Sequence, residues 1–175
     1  MTERAADPSS ASVPADLRAA IAAIPDPEVP VLTIEDLGIL REVQVDETAR
    51  TVTVLITPTY SGCPAMDAIR QHTEHVARRL GYLATVRTRL SPAWTTDWMS
   101  AAGRDKLREF GIAPPGSRSG VVAHPVGLPL MARRVDCPLC GSADTQEISR
   151  FGSTACKALR RCNQCHEPFD EFKTI

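Results

Sequence analysis

TPTYSGCPAMDAIRQH, residues 57–72, changes its hydrophobic period halfway along. The residues leading into it, TVTVLIT (51–57), are β-branched and alternate, which predicts a half-buried strand. From Pro64 to Leu80 the apolar set Met66, Ile69, Thr73, Val76, Ala77 and Leu80 recurs at helical spacing. Asp67, Arg70, Gln71, Glu74, Arg78 and Arg79 take the opposite face. Ser61-Gly62 lets the chain turn sharply between the two, and Gly81 is placed to end the helix. Pro64 suits a first helical position, so Cys63 falls at or near the N-cap. A thiol there faces unpaired N–H groups and the positive end of the helix dipole, which predicts a lowered pKa. The other reading of Cys63 is a small residue that merely closes the strand.

Outward from this unit the order of elements is legible. ADLRAAIAAI (15–24) puts Leu17, Ala20, Ile21 and Ile24 on one helical face, and Pro25 stops it. PDPEVPVLTIEDLGIL, with three prolines and four carboxylates, predicts an extended acidic loop. ILREVQVD (39–46) pairs across the turn ETAR with 51–57 as a hairpin. YLATVRTRL (82–90) is a third strand. TTDWMSAAGRDKLREFGI opens with a Thr/Asp cap and predicts a last helix, stopped by APPG. The sequence α-β-β-α-β-α predicts an α+β domain, a small mixed sheet with helices on one side.

The chain has 175 residues, 43% hydrophobic and 23% charged, with a net charge of −1 and a pI near 6.4, so a polybasic nucleic-acid binder is excluded. No apolar run reaches membrane-spanning length. MTERAADPSSASVP reads as a flexible leader and not as an export signal. Six cysteines without such a signal point to a reducing cytoplasm and to metal before disulfides. Proline-rich PPGSRSGVVAHPVGLP (114–129) is a linker by composition. The expected division is a leader at 1–14, the α+β domain at 15–113, a linker at 114–132 and a metal ribbon at 133–175.

Cys137, Cys140, Cys162 and Cys165 form two Cys-x-x-Cys pairs at ribbon spacing. Two such knuckles can place four thiolates tetrahedrally around one ion. So small a module buries too little apolar surface to fold unaided, and structural zinc supplies on the order of 10 kcal/mol or more. Zinc is the favoured metal, an iron–sulfur cluster uses the same ligands, and an unmetallated redox pair remains. TQEISRF and KALRRC are the expected ribbon strands. Cys156 reads as an inert buried thiol on a ribbon strand, with an alternative ligand or reactive thiol as the sharper reading. His166 is set aside as a ligand because four sulfurs suffice.

No partner completes a catalytic arrangement with Cys63. His72 and His75 lie two to three turns along the helix, at about 5.4 Å per turn, and His124 is in the linker. Asp26, Glu28, Glu35 and Asp36 could bind a hard cation, though a solvated acidic loop is the plainer reading. Trp94 and Trp98, four apart, are assigned to core or interface at the start of the last helix. The ribbon's basic residues are scattered and balanced by acids, so a protein partner ranks above nucleic acid.

DPEVPVLTIEDLGIL and the strand ending in TPTYSGCPAMDAI together resemble the small α+β domain of the metal–sulfur cluster assembly family. With CPLCGS and SRFGSTACKALRRCNQCHEPFDEFK added, the chain is similar to the D subunits of the bacterial phenylacetyl-CoA epoxidase system, from about residue 15 to the end. The resemblance implies a phenylacetate pathway in which other subunits form a di-iron oxygenase and a flavin and iron–sulfur reductase supplies electrons. It implies an accessory role in maturing an iron or iron–sulfur centre of that reductase or oxygenase, its expected partners. Cys63 would be the ligand that carries iron or a cluster transiently, and Asp26, Glu28, Asp36, Gly38, Thr57 and Pro64 match motif positions. Catalysis by this chain alone is not expected of an accessory subunit, and the missing Glu-x-x-His pattern of a di-iron bundle argues against direct oxygen activation. The rival readings are a structural or substrate-related subunit of the epoxidase complex and a ribbon regulator that binds nucleic acid. Self-association is left open.

Overall fold

The computed structural model describes residues 15–60, 62–116 and 134–175. The expected leader, Ser61, most of the expected linker and His124 lie outside the described residues. Helix α1 (Ala15–Ala22) is followed by strands β1 (Leu40–Asp46) and β2 (Thr51–Ile56), helix α2 (Ala65–Arg79), strand β3 (Leu83–Thr88) and helix α3 (Ala101–Glu109). The second sheet then follows as β4 (Thr145–Ser149), β5 (Lys157–Cys162) and β6 (Pro168–Phe172). The chain is thus an α+β protein with the element order read from its periodicities. No helix among the described residues is long and apolar enough to cross a membrane.

The first sheet has the order β1-β2-β3 and is mixed. β1 runs antiparallel to β2 through a hairpin, and β3 runs parallel to β2. A parallel pair needs a crossover, and α2 supplies it. β2 alternates as its sequence predicts: Val52, Val54 and Ile56 are buried while Thr51, Thr53 and Leu55 are half-buried on the other face. The buried row shares one core with Leu17 and Ile21 of α1, Ile69 and Ala77 of α2 and Leu107 of α3, so the helices cover a single face.

Residues 25–39 differ from the solvated acidic loop expected of them. Pro25 bridges Thr33, the Asp26 N–H donates to Leu32 O at 2.8 Å, and Val29, Leu32, Ile34, Leu37 and Ile39 are all buried. Asp26 and Asp36 are buried too, because each carboxylate ties the turn together. Asp26 Oδ1 accepts the N–H groups of Glu28 and Val29 at 2.9 and 2.8 Å. Asp36 accepts from the Thr33 N–H and hydroxyl, the Ser100 hydroxyl and, at 2.6 Å, Lys106 Nζ. The expected last helix also starts later. Thr96–Trp98 makes a 3-10 turn capped by Thr95, and Ser100 is the N-cap of α3, its hydroxyl accepting the Gly103 N–H at 2.8 Å. Trp94 and Trp98 therefore lie ahead of α3. Trp94 is buried and donates its indole N–H to Leu37 O at 2.9 Å.

The second sheet is an antiparallel β4-β5-β6 meander. β6 is the strand that the sequence reading missed, and it seats this sheet against the first unit. Ala113 N–H donates to Asp170 O at 2.8 Å and Phe172 N–H returns to Ala113 O at 2.9 Å. The Phe172 ring meets Trp94 at a centroid distance of 6.3 Å, and the Thr96 N–H reaches Ile175 O. Phe172 and Cys156 belong to the large core of the first unit, whereas Cys137, Cys162 and Phe169 form a separate small one.

Candidate functional site

Cys63 stands where β2 gives way to α2. Thr57 begins the connecting loop with its N–H on Ile39 O at 2.9 Å, and Thr57, Pro58 and Thr59 are buried beneath it. Pro64 already has helical dihedrals, φ −69° and ψ −20°, although its side chain caps nothing, and the Met66 N–H reaches back to Cys63 O. The strand–turn–cysteine–helix arrangement expected of the sequence is therefore present. The Cys63 sulfur is half-buried against the main core.

The expected lowered pKa is not what this setting produces. Burial, first, and then the negative charges of Glu28 and Asp26 push the Cys63 thiol up, against the Ala65 N–H and the Thr59 side chain, which favour the thiolate. The helix N-terminus does act on the sulfur through the Ala65 N–H, but burial, with the charges of Glu28 and Asp26, outweighs it. A field that holds a proton on sulfur also attracts a metal cation in its place. The setting suits a ligand better than a nucleophile.

Three further groups face the same place. Glu28 is half-buried and held by the Asp26 turn. Tyr60 has its phenol pushed up by burial, then by Cys63, Glu28 and Cys156. Cys156 is not on a ribbon strand as expected but just ahead of β5. Its sulfur lies 3.0 Å from Thr154 Oγ1 and 3.7 Å from Glu28 Oε2, and burial first, with the Glu28 and Asp26 charges, pushes it up to about 11. Tyr60 and Thr59 escaped the sequence reading although they flank Cys63 in TPTYSGC, and that adjacency is the signal that could have found them.

The remaining motif residues are placed elsewhere. Asp36 ties the 33–36 turn to α3. Gly38 has φ +69°, and a Cβ there would lie 2.5 Å from Trp98 O and 2.7 Å from Trp98 Cβ. Thr57 is buried with a hydroxyl that has no hydrogen-bond partner among the described residues. His72 and His75 are on the exposed face of α2.

The ribbon cysteines converge. The sulfurs of Cys137, Cys140, Cys162 and Cys165 all lie within 4.8 Å of one another. Cys137–Cys165 is 3.8 Å and Cys140–Cys162 is 3.6 Å. Zinc–sulfur bonds near 2.3 Å give a tetrahedral edge of about 3.8 Å, so the four residues fit zinc. The Cys165 N–H points at the Cys162 sulfur and, with the Gln164 N–H, holds that thiol down to about 6. Each knuckle is followed by a residue in the left-handed region, Gly141 at φ +76° and His166 at φ +65°. His166 thus fills the backbone position that glycine takes in the first knuckle. Zinc held here would be structural, closing its four sites with sulfur.

Comparisons with known proteins fall on the same two parts. Residues 14–87 match the family model described as iron–sulfur cluster assembly protein, and residues 123–173 match the PaaD zinc beta ribbon domain. Across 91% of this chain and 92% of the relative, the sequence is 46% identical to an Escherichia coli (strain K12) protein, the D subunit of a "Putative 1,2-phenylacetyl-CoA epoxidase". Among solved structures, a domain of unknown function, DUF59, from Bacillus anthracis is 26% identical, with a TM-score of 0.48, covering 52% of this chain and 87% of that one. A conserved hypothetical protein from Thermotoga maritima is 26% identical, with a TM-score of 0.43, covering 55% and 94%.

Proposed function

This chain belongs to the family of the 1,2-phenylacetyl-CoA epoxidase D subunits, and from that membership we propose that it is an accessory protein of the epoxidase system in phenylacetate breakdown. Its task is to assist the maturation of an iron or iron–sulfur centre in the reductase or oxygenase of that system. The observation that carries the reading is the setting of Cys63, a half-buried residue at a strand-to-helix turn, in the electrostatic field of the Glu28 and Asp26 carboxylates. Thiolate is a soft ligand that exchanges metal through shared coordination, and the acidic surround favours an incoming cation over a free thiolate. Iron or a cluster is the cargo and Cys63 its transient ligand. On binding, the thiol gives its proton to solvent, so uptake strengthens as pH rises toward the raised pKa of Cys63. The zinc-holding ribbon supplies structure and a surface for the client.

The test is to express the reductase and oxygenase with this protein, without it, and with Cys63→Ala, and to measure their iron, sulfide and flavin. The expected result is client protein short of iron, with normal flavin, in the second and third cases. Fully loaded and active clients in every case would overturn the maturation role and leave a structural role in the complex.

A further inference from the structure

Of the six cysteines, Cys156 is the one that neither the ribbon cluster nor the strand–turn–helix site accounts for. It is 4% exposed and packs in the core of the first unit, the core against which Cys63 also packs, and not in the small core around the ribbon cysteines. Its sulfur is 3.7 Å from Glu28 Oε2. Glu28 is aimed by the Asp26 turn, which accepts its N–H at 2.9 Å. Cys63, Glu28 and Cys156 all act electrostatically on the Tyr60 phenol. Thus residues from the 25–39 loop, the β2–α2 turn and the lead-in to β5 meet where the second sheet docks on the first unit.

We propose that Cys156 is the second thiol of the Cys63 site, so that Cys63, Cys156 and Glu28 together take an iron ion, free ferrous or at the edge of a cluster. This rests on the reading of Cys63 as an iron ligand and adds a second sulfur, together with the module that delivers it. Two thiolates and a carboxylate make a mixed soft and hard set suited to iron. Each thiol releases one proton to solvent as the ion binds, and at least one coordination position stays open for a client's ligand. The ribbon sulfurs lie within 4.8 Å of one another, and among the described residues no other three candidate ligands do. Closing Cys63, Cys156 and Glu28 on an ion therefore takes a rearrangement that the ribbon cysteines do not need, and that cost keeps the site weaker than the preorganised ribbon. A site that hands its cargo on needs to be the weaker of the two.

The experiment uses the full chain, loaded with zinc in the ribbon and kept free of air, titrated with cobalt(II) and then ferrous iron. Cobalt–thiolate charge-transfer absorption counts sulfur ligands. One cobalt beyond the ribbon's zinc is expected. The band falls to about half in Cys63→Ser and in Cys156→Ser, vanishes in the double variant, and each single variant binds on the order of tenfold more weakly. Because Cys156 is buried, Cys156→Ala is run beside Cys156→Ser, and retention of one zinc per chain certifies the fold. Glu28→Gln, which alters no sulfur, keeps the whole band and loses affinity. An unchanged band and affinity in both Cys156 variants, or no cobalt uptake by the zinc-loaded wild type, overturns the proposal. Client iron that depends on Cys63 but not on Cys156 sinks the second thiol and spares the accessory role. Client iron indifferent to Cys63, with the band still halved in each variant, does the reverse.

Discussion

At Cys63 the Ala65 N–H and the Thr59 side chain pull toward thiolate, while burial and the charges of Glu28 and Asp26 push toward thiol, and the second set prevails. The thiolate is the species that alkylates, so Cys63 should react more slowly with iodoacetamide at pH 8 than a free cysteine does. Glu28→Gln removes one of the opposing charges, so it should lower the Cys63 pKa and raise the alkylation rate at pH 8. Peptide mass spectrometry of a timed labelling series reads both rates, and a slower Glu28→Gln would contradict the sign. His166 offers a second residue-scale test. A side chain at φ +65° carries a left-handed strain of about 1 kcal/mol that glycine does not feel. His166→Gly should raise the melting temperature of the zinc-loaded protein by a few degrees and keep one zinc per chain. Loss of zinc would instead make His166 a ligand.

Among the elements, the 25–39 segment shows how a carboxylate can build a turn at a cost. Burial raises the Asp26 pKa despite the N–H groups of Val29 and Glu28 and the charge of Lys157. A folded pKa above the unfolded one means that the group's contribution is complete below the unfolded pKa and is lost as pH rises through the folded one. The charged form of Asp26 is therefore penalised by burial, and its hydrogen bonds and the Lys157 charge offset only part of that. Asp26→Asn keeps an acceptor without the charge and should be at least as stable as wild type at pH 7 in urea unfolding. Asp26→Ala strands two N–H groups and should cost about 1–2 kcal/mol. Gly38→Ala should cost about 3 kcal/mol, since it combines a positive φ with a clash against the Trp98 backbone. These positions mark the limits of what the sequence makes legible. The period change at 57–72 is local, so β2, the turn and α2 could be read directly. The buried face of 25–39 could not, because Val29, Leu32 and Ile34 follow neither a helical nor a strand period. TTDW imitated a helix cap, and only the Ser100–Gly103 bond shows where α3 begins.

For the whole molecule, the four ribbon ligands were legible from their spacing, whereas the place of Cys156 was not, because it depends on how β6 docks. That docking joins the two halves: Phe172 is 1% exposed in the core of the first unit, and Ala113 exchanges two backbone hydrogen bonds with β6. Truncating Phe172 to Ala should cost about 3–5 kcal/mol, as for other fully buried aromatics. A zinc ion held by the four cysteines would act through the same connection. The second sheet is too small to hold itself without zinc, so losing the ion should release β6 and, with it, Phe172 from Trp94 and Cys156 from Glu28. Cys137→Ser, or chelation of the zinc, should therefore shift the Trp94 emission to the red, lower the melting temperature of the helical signal, and open Cys156 to alkylation. Trp98→Phe serves as the background, so that the emission reports Trp94 alone. If zinc loss leaves the Trp94 emission and the Cys156 labelling rate unchanged, the two sheets are thermodynamically separate. In that case the ribbon metal has no hold over the Cys63 site.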